Sequence, residues 1–458
     1  MNYEESVRAL MALGRELGAP RQARVQKFGL ENITTLARDL NNPHRAIPCV
    51  HIAGTNGKGS TAAMLESILR AAGLATGLYT SPHLERINER IRINGEDIFG
   101  ENFAKAWTHV QSSIESLMAA GTLAAHPTFF ECVTAIAFLA FAGHDVDFAV
   151  FEVGLGGRLD ATNIVHPEVA AITPIDFDHE NYLGHSIEEI ATEKAGIIKP
   201  GAWVVSSSER SEARAVIARR AKELDARLVE VDTAWHIEEI QRAGGFYRAV
   251  VATPHSSRKL AIEPGLPGRF QLRNALAAAT AARLLAERGF PVDDGAIVRG
   301  IRMVRWPGRL ERLLERPAVY LDGAHNPAAA RELLRFWEEN FPGRRILLVY
   351  GAMRDKAVDE IAGLLFPRAE TVIFTEPCQP RAVSAGFLAK MARHLARHSI
   401  VIREPAEALE HALRVASAED AIFATGSLFL VGDLRSYWRK HSSAQTSPHP
   451  STVSHQFH

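Results

Sequence analysis

Gly54-Thr55-Asn56-Gly57-Lys58-Gly59-Ser60 decides the fold, because this glycine-rich stretch stands between an apolar run and a run with helical spacing. Residues 46–53 are predicted to form a strand, and residues 61–72 a helix with apolar side chains on one face. A strand, a glycine-rich loop and a helix in this order form a phosphate-binding loop, whose N–H groups and helix end face an anion. We therefore expect Lys58 to contact nucleotide phosphates; the alternative is a glycine-rich turn with a solvated lysine.

The loop departs from the usual pattern in one informative way. It is shorter than G-x-x-x-x-G-K-[ST], and Gly59 takes the position of the hydroxyl that ligates Mg²⁺. Magnesium ligands must then come from hard oxygen donors or an imidazole elsewhere. Candidates stand in residues 79–84, 151–160, 175–180 and 193–200. Taken singly, each candidate also fits a structural acid, a cap residue or an ion-paired lysine.

Size and composition narrow the class of protein. A chain of 458 residues, 47% hydrophobic and 23% charged, is long enough for two globular domains and carries no apolar run as long as a membrane span. Glu4 and Glu5 stand where a secretory signal carries bases, and a net charge of -1 offers no footprint for nucleic acid. Cys49, Cys132 and Cys378 are too scattered for a disulfide framework or zinc site and are expected in the core. We expect a cytoplasmic protein without membrane or nucleic-acid partners.

The order of predicted elements favours an α/β fold. Residues 1–20 are predicted to form a helix, and the apolar runs 148–153 and 169–173 are typical of strands in a parallel sheet covered on both faces. Further on, predicted strands alternate with helices, the strands being 318–321, 346–350, 371–374 and 421–424, and the helices including one after Pro327 and one over 428–439. This alternation predicts a second, Rossmann-like domain.

Trp306-Pro307-Gly308 marks the expected domain boundary. We expect one domain over residues 1–302, a second over 303–440, and a tail over 441–458 that is too polar to order itself.

The chain resembles the folylpolyglutamate synthase family, often bifunctional with dihydrofolate synthase in bacteria, within the Mur ligase superfamily. The resemblance covers residues 25–440 and is carried by residues 29–31, 55–60, 80–84, 89–95, 152–163, 178–179, 193–199, 306–311, 322–327, 380–382 and 425–427. It implies a Mur ligase-like ATPase domain with a parallel-rich sheet, followed by a smaller Rossmann-like glutamate ligase domain. The implied activity is ATP-dependent addition of L-glutamate to folate, and also to dihydropteroate, through an acyl phosphate, by a monomer.

The resemblance also implies roles for individual residues. ATP contacts would come from Thr55, Asn56, Gly57, Lys58, Gly59, Ser60, Asn274, Arg309 and Asp322. Two Mg²⁺ ions would be held by Ser81, Glu152, His179 and Lys194, the last as a carbamate. The catalytic group would be Lys58, Lys194, His179 and Asp322. Substrate contacts would come from Phe28, Gly29, Leu30, Thr128, Phe129, Phe130, Glu131, Leu159, Asp160, Ala161 and His325.

Alternatives remain open at this point. His325 would position or deprotonate the incoming amine, or instead cap the helix that follows, since Pro327 suits the first helical position. The nearest rival activity is a Mur-type ligase that joins an amino acid to a UDP-linked cell-wall precursor. A rival from another class is a nucleotide-dependent switch protein, which would not need the metal candidates.

Overall fold

The computed structural model describes residues 1–14, 29–254 and 258–442 of the chain. The elements of the first part are, in chain order, α1 (Tyr3–Ala12), α2 (Glu31–Asp39), β1 (Cys49–Ala53), α3 (Lys58–Ala71), β2 (Thr76–Tyr79), β3 (Ile91–Ile93), β4 (Glu96–Asp97), α4 (Gly100–Ala119), α5 (Phe129–Ala142), β5 (Phe148–Glu152), β6 (Val169–Ile172), α6 (Glu180–Leu183), α7 (Ile187–Ala195), β7 (Trp203–Ser206), α8 (Ser211–Glu223), β8 (Arg227–Glu230), α9 (Val231–Ala234), β9 (His236–Ala243), β10 (Phe246–Ala252), β11 (Lys259–Ile262), α10 (Phe270–Glu287) and α11 (Asp294–Met303).

The second part begins after a short connection. Its elements are β12 (Glu311–Leu314), β13 (Ala318–Leu321), α12 (Pro327–Asn340), β14 (Ile346–Tyr350), α13 (Val358–Leu365), β15 (Thr371–Phe374), α14 (Ala385–Ala392), β16 (His398–Val401), α15 (Pro405–Val415), β17 (Ala421–Thr425) and α16 (Leu428–Ser442). Short 3₁₀ turns lie at Pro43–Arg45, Ile87–Arg90, Ala161–Ile164, Phe366–Arg368 and Arg393–Leu395.

The first part is built on an eight-stranded sheet in the order β4-β3-β2-β5-β1-β6-β7-β8. The strands β2, β5, β1, β6, β7 and β8 are each parallel to their neighbours in this row. At the edge of the sheet, β3 is antiparallel to both β2 and β4. Strands β1 and β5 are buried along their whole length, as expected for a parallel sheet covered by helices on both faces. Parallel strands end at one edge of a sheet, so the loops after β1, β5 and β6 converge there.

Helices pack on both faces of this sheet. Helices α3, α10 and α11 share one apolar core with it, and α1, α2, α4 and α5 share another. The fit between α3 and α11 is close, because a Cβ added at Gly300 would lie 2.4 Å from the Ile68 Cα. The Ser67 hydroxyl also donates to the Gly300 carbonyl at 2.7 Å. Helix α3, which follows the phosphate loop, is therefore fixed in position by its contact with α11.

A small antiparallel sheet, β11-β10-β9, lies beside α10. Burial alternates along β10, with one face in the core and one toward solvent. The sequence analysis did not predict this sheet.

The second part is a six-stranded sheet in the order β12-β13-β17-β14-β15-β16. All neighbours are parallel except β12, which pairs antiparallel with β13. The strands predicted over 318–321, 346–350 and 371–374 are confirmed with the same bounds. The helix after Pro327 and the Rossmann-like arrangement are confirmed as well.

Several predicted bounds need correction. Helix α1 ends at Ala12 and not at residue 20, since Gly14 takes φ 95°; residues 15–20 lie outside the described residues. Strand β1 begins at Cys49, after Pro48, and α3 begins at Lys58 and not at residue 61. The phosphate loop therefore runs straight into the helix.

The C-terminal end and the cysteines give further corrections. Helix α16 reaches Ser442, two residues into the predicted tail, and residues 443–458 lie outside the described residues. Cys49 and Cys132 are buried as expected, but Cys378 is exposed, in the loop after β15. Among the described helices none is long and apolar enough to span a membrane.

Candidate active site

The phosphate loop needs glycine at two positions for backbone reasons. Gly54 and Gly57 take φ values of 149° and 85°, which side chains with a Cβ rarely adopt. A Cβ on Gly57 would also lie 2.3 Å from the Asn274 Oδ1. Because Lys58 is the first residue of α3, the free N–H groups of the helix N-terminus open onto the loop. The loop thus has the geometry of an anion site.

Lys58 lies across this loop. Its Nζ donates to the carbonyl oxygens of Gly54 and Thr55 at 3.0 and 3.2 Å. Burial lowers the pKa of Lys58, while the nearby Glu152 carboxylate opposes that shift. Thr55 in turn donates from its hydroxyl to the carbonyl of Asp176 at 2.9 Å, which connects the loop to the segment that follows β6.

The loop opens into a cavity of about 730 Å³, the central cavity, which both parts of the chain line. Predicted site residues in its wall are Gly54 to Ser60, Ser81, Glu152, His179, Lys194, Asn274, Arg309, Asp322 and His325. Residues that are far apart in the sequence, from Gly54 to His325, therefore face one space.

The four predicted metal ligands all face the central cavity. The Ser81 N–H donates to Glu152 Oε2 at 3.1 Å, which brings the first two together at the ends of β2 and β5. Burial raises the pKa of Glu152, and the Lys58 charge opposes this. His179 has φ 53°, and burial followed by the charge of Lys356 lowers its pKa to about 4. His179 is therefore a neutral imidazole near pH 7, the form that binds metals.

This donor set fits a magnesium ion that keeps part of its water shell. A hydroxyl, a carboxylate and an imidazole are compatible with Mg²⁺, which usually takes few protein ligands and completes its shell with water and phosphate. In the described part of the chain, no three His, Cys, Asp or Glu side chains form a ready metal cage. The set is thus suited to a metal that arrives with a nucleotide.

Lys194 is the unusual member of the set. It is 4% exposed, and its Nζ donates to the Gly54 carbonyl at 2.8 Å. No carboxylate of the described residues lies within salt-bridge distance of it. Burial, and then the charge of Lys58, lowers the pKa of Lys194 to about 7. A large fraction of this amine is therefore uncharged near neutral pH.

Asp322 fixes the backbone of the second part where residues 309–310 and 322–325 line the central cavity. Its two carboxylate oxygens accept the N–H groups of Leu310 and Ala324, each at 2.9 Å. Burial raises the pKa of Asp322, and the Arg309 guanidinium opposes the shift. Asp322 therefore fixes the turn on which Arg309 stands.

His325 is not the helix cap. Its Nδ1 lies 2.8 Å from the Gly323 carbonyl, and its Nε2 lies 3.4 Å from Asp178 Oδ2. Asn326 caps α12 instead, because its side chain accepts the Ala329 N–H at 2.9 Å. The imidazole of His325 is thereby left to face both neighbouring cavities.

A polar network that the sequence analysis missed joins the two parts of the chain. Lys356 Nζ donates to Asp178 Oδ1 at 2.8 Å and lies 3.3 Å from His179 Nε2. Asn326 Nδ2 donates to Asn56 Oδ1 at 2.9 Å and to Asp178 Oδ2 at 3.2 Å. Burial alone would raise the pKa of Asp178, but His325 and Lys356 bring it well below its usual value. No local pattern around Lys356 distinguishes it from a surface lysine, so only the fold shows this contact.

A second cavity of about 330 Å³, the side cavity, adjoins the first at Ser81, Pro82 and His325. Its wall contains most of the predicted substrate residues: Gly29, Thr128, Phe130, Glu131, Leu159, Asp160 and Ala161. Leu30 and Phe129 do not line it. Leu30 precedes α2, and Phe129 is buried in the core. Phe28 lies outside the described residues.

Two acids of the side cavity, Glu131 and Asp160, accept hydrogen bonds from backbone N–H groups close to them in the sequence. Glu131 forms a capping box with Thr128, accepting its N–H at 2.7 Å at the start of α5. Asp160 accepts the N–H groups of Gly154 and Leu155, both at 3.0 Å, and so orders the glycine-rich turn after β5. Both acids therefore shape the cavity wall.

Known proteins resemble this chain over most of its length. The chain is 37% identical over 413 residues to a dihydrofolate synthase/folylpolyglutamate synthase of Bacillus subtilis, covering 89% of this chain and 94% of the relative. It is also 37% identical over 444 residues to a probable bifunctional folylpolyglutamate synthase/dihydropteroate synthase of Halobacterium salinarum, covering 96% of this chain. The chain spans 52% of that longer relative.

A solved structure matches over nearly the whole chain. It is the bifunctional folylpolyglutamate synthase/dihydrofolate synthase of Yersinia pestis, complexed with AMPPNP and a manganese ion. The sequence identity is 30% and the TM-score 0.81, with 96% of this chain and 98% of that chain covered.

Two models of Mur ligase domains match this chain. Residues 52–282 match the Mur ligase middle domain, and residues 308–428 match the Mur ligase glutamate ligase domain. Fold and site together define a ligase of the Mur type. Within that class, the chain belongs to the folylpolyglutamate synthase/dihydrofolate synthase family.

Proposed function

We propose that this chain joins L-glutamate to a folate, and also to dihydropteroate, in an ATP-dependent reaction that passes through an acyl phosphate. The observation that carries the proposal is the central cavity. It receives the phosphate loop from the first part of the chain and Arg309 and Asp322 from the second, and it adjoins the side cavity. The two relatives at 37% identity are named for the folate reactions, which supports the choice of acceptor.

Lys58 and the loop N–H groups would bind the phosphates of ATP. Charge builds up on the transferring phosphoryl group, and cations placed beforehand supply most of the rate in such reactions. Ser81, Glu152 and His179 would hold the Mg²⁺, which supplies charge neutralisation and alignment of the phosphates. The manganese ion and nucleotide analogue in the Yersinia pestis relative support the use of a divalent metal with ATP.

Lys194 is proposed to carry a carbamate and to complete a two-ion site. A free ammonium group would repel metal ions, whereas a carbamate offers anionic oxygen ligands. Its burial without a carboxylate partner in the described residues supports this modification.

The acceptor carboxylate would attack the γ-phosphorus of ATP to give the acyl phosphate and ADP. The glutamate amine then attacks the activated carbonyl, and phosphate leaves. The acyl phosphate hydrolyses readily, so water must be kept out, and Arg309 reaches the site only from the second part of the chain. His325 faces both cavities and is placed to orient the incoming amine.

The test is an assay of the purified protein with ATP, Mg²⁺ and L-glutamate. Dihydropteroate and tetrahydrofolate, offered separately, should each gain one glutamyl unit by mass, and ATP hydrolysis should be slow without an acceptor. Addition of an amino acid to a UDP-muramoyl substrate, with none to either pteridine, would assign the chain to cell-wall chemistry instead. ATP hydrolysis that is equally fast without any acceptor would contradict the sheltered acyl phosphate.

A further inference from the structure

Three buried polar side chains connect the strand before the phosphate loop to the wall of the side cavity. His51 lies on β1, the strand that runs into the phosphate loop. Its Nε2 lies 2.8 Å from the hydroxyl of Thr162, in the 3₁₀ turn between β5 and β6. The Thr162 side chain is bonded in turn to Asp160 Oδ1, and the Thr162 N–H donates to the same oxygen at 3.0 Å. We call these three residues the polar bridge; none is more than 5% exposed.

The hydrogen bonds of the polar bridge run in one direction, from His51 to Asp160. Asp160 Oδ2 accepts the N–H groups of Gly154 and Leu155, and Oδ1 accepts that of Thr162. Three backbone donors favour the ionised carboxylate, which can only accept hydrogen bonds. The Thr162 hydroxyl therefore donates to Asp160 and accepts the Nε2–H of His51.

The bond to Thr162 is the contact that accounts for a histidine in this strand. The other residues of β1 are apolar or small, and His51 lines neither the central nor the side cavity. Its Nδ1 is buried and has no hydrogen-bond partner among the described residues. Burial, and then the charge of Lys199, lowers the pKa of His51 to about 3, so the ring is neutral near pH 7. Because an unpaired buried nitrogen is costly, an apolar residue would suit the strand better if this bond had no role.

The turn that Asp160 orders is a wall shared by the two cavities. Gly154, Leu155 and Gly156 line both the central cavity and the side cavity. Backbone pairing between β1 and β5 ends just before this turn, where the Val153 N–H donates to the Ile52 carbonyl at 2.9 Å. Beyond that point, the position of the turn depends on its bonds to Asp160.

We propose that His51 is a positioning residue that, through Thr162 and Asp160, sets the distance between the acceptor and the phosphate loop. This inference rests on the proposed function. Strand β1 carries the phosphate loop at its end, and the polar bridge joins the same strand to the turn over residues 154–156. An acceptor in the side cavity passes this turn where its carboxylate meets the nucleotide phosphates. One strand therefore aligns both reactants within the short range that attack on phosphorus requires.

The test removes the hydrogen bond of His51 and then restores it, in assays with ATP, Mg²⁺ and L-glutamate. His51→Leu deletes the donor, and kcat/KM for dihydropteroate should fall about 10- to 100-fold, as expected for a small misplacement of a reactant. Binding of a nucleotide analogue should change little, because the contacts of Thr55 and Lys58 remain. His51→Gln carries an amide N–H in place of the ring N–H and should recover most of the loss.

The middle of the polar bridge gives an independent test. Thr162→Val removes the hydroxyl and Thr162→Ser keeps it, so only the first should lose kcat/KM for dihydropteroate. His51→Leu combined with Thr162→Val should be no worse than the less active single variant, because residues of one hydrogen-bond network do not act additively.

His44→Leu is the matched control, because His44 is also a buried histidine but lies against Phe138 and lines neither cavity. It should keep kcat/KM for dihydropteroate close to that of the wild type. An unchanged kcat/KM in His51→Leu, or an equal loss in His51→Gln, would overturn the positioning role. Losses that multiply in the double variant would overturn it as well. A wild-type protein that glutamylates neither dihydropteroate nor tetrahydrofolate would instead refute the proposed function.

Discussion

At the scale of single residues, Lys194 departs furthest from ordinary lysine chemistry. It is buried, it donates to a backbone carbonyl, and its pKa is lowered to about 7 chiefly by burial. An uncharged amine is the form that reacts with CO₂, and burial favours it. The fold thus brings this amine to the edge of the sheet where β5 ends at Glu152 and where Ser81 follows β2.

Lys194→Ala is expected to lower the ligase rate by at least about 100-fold, as for the loss of a metal ligand or its support. Protein incubated with ¹³C-bicarbonate should show a carbamate signal by NMR that is missing in this variant. Lys222→Ala is the control, since Lys222 is exposed on α8. A variant with full activity, or a wild-type spectrum without the signal, would contradict the carbamate.

Sequence reasoning reached the residues whose neighbours along the chain carry the signal. Lys58 stands in a loop with a recognisable order of glycines, Glu152 ends an apolar strand, and Ser81 follows another. Lys356 and Asn326 gave no such signal, because their partners Asp178 and Asn56 are distant in sequence. The roles given to the predicted site residues stay predictions, although the structure brings most of them together.

At the scale of elements, the contact between α3 and α11 fixes the direction of the phosphate loop. Gly300 lets the two helices meet, with the Ser67 hydroxyl bonded to its carbonyl. The sequence predicted α3 from its apolar spacing, yet it could not show which helix lies behind it. The small sheet of β9, β10 and β11 was missed for a related reason. Its strands are half exposed, so their apolar residues form no continuous run.

Gly300→Ala is expected to destabilise the protein by about 1–3 kcal/mol, because the added methyl group would overlap the backbone at Ile68. Chemical denaturation followed by circular dichroism measures the change. Gly363→Ala provides the comparison, since a Cβ on this glycine of α13 meets nothing within 4 Å. That control should gain about 0.5–1 kcal/mol from helix propensity. Equal stability of the two variants would show that α11 can shift away from α3.

At the scale of the whole molecule, the two parts meet at a polar network as well as at apolar contacts, where Leu84 and Phe270 pack against the cores of the second part. Lys356, Asp178, Asn326 and Asn56 connect the second part of the chain to the phosphate loop and its neighbouring segment. Polar contacts of this kind are typical of domains that move relative to one another. The alignment of the two parts therefore depends on residues that lie beside the phosphate loop.

Lys356→Met is expected to lower kcat about tenfold or more, because it removes one partner of a buried ion pair. Asp178 then keeps its contacts with His325 and Asn326 but loses its contact with the lysine. The affinity for a nucleotide analogue should change little, since the loop contacts of Lys58 remain. Steady-state kinetics and equilibrium nucleotide binding separate the two effects. Lys390→Met, at an exposed position on α14, is the control. A variant with normal kcat would show that the ion pair does not align the two parts.

The connection from Met303 to Gly308 is short, so the phosphate loop of the first part and Arg309 of the second part stay close to each other. Neither sheet carries a full set of the proposed phosphate contacts, so separate halves would have to meet by diffusion. A short tether instead holds one half near the other at an effective concentration on the order of millimolar. The polar contacts between the two parts therefore form at a much higher effective concentration than separate halves would reach.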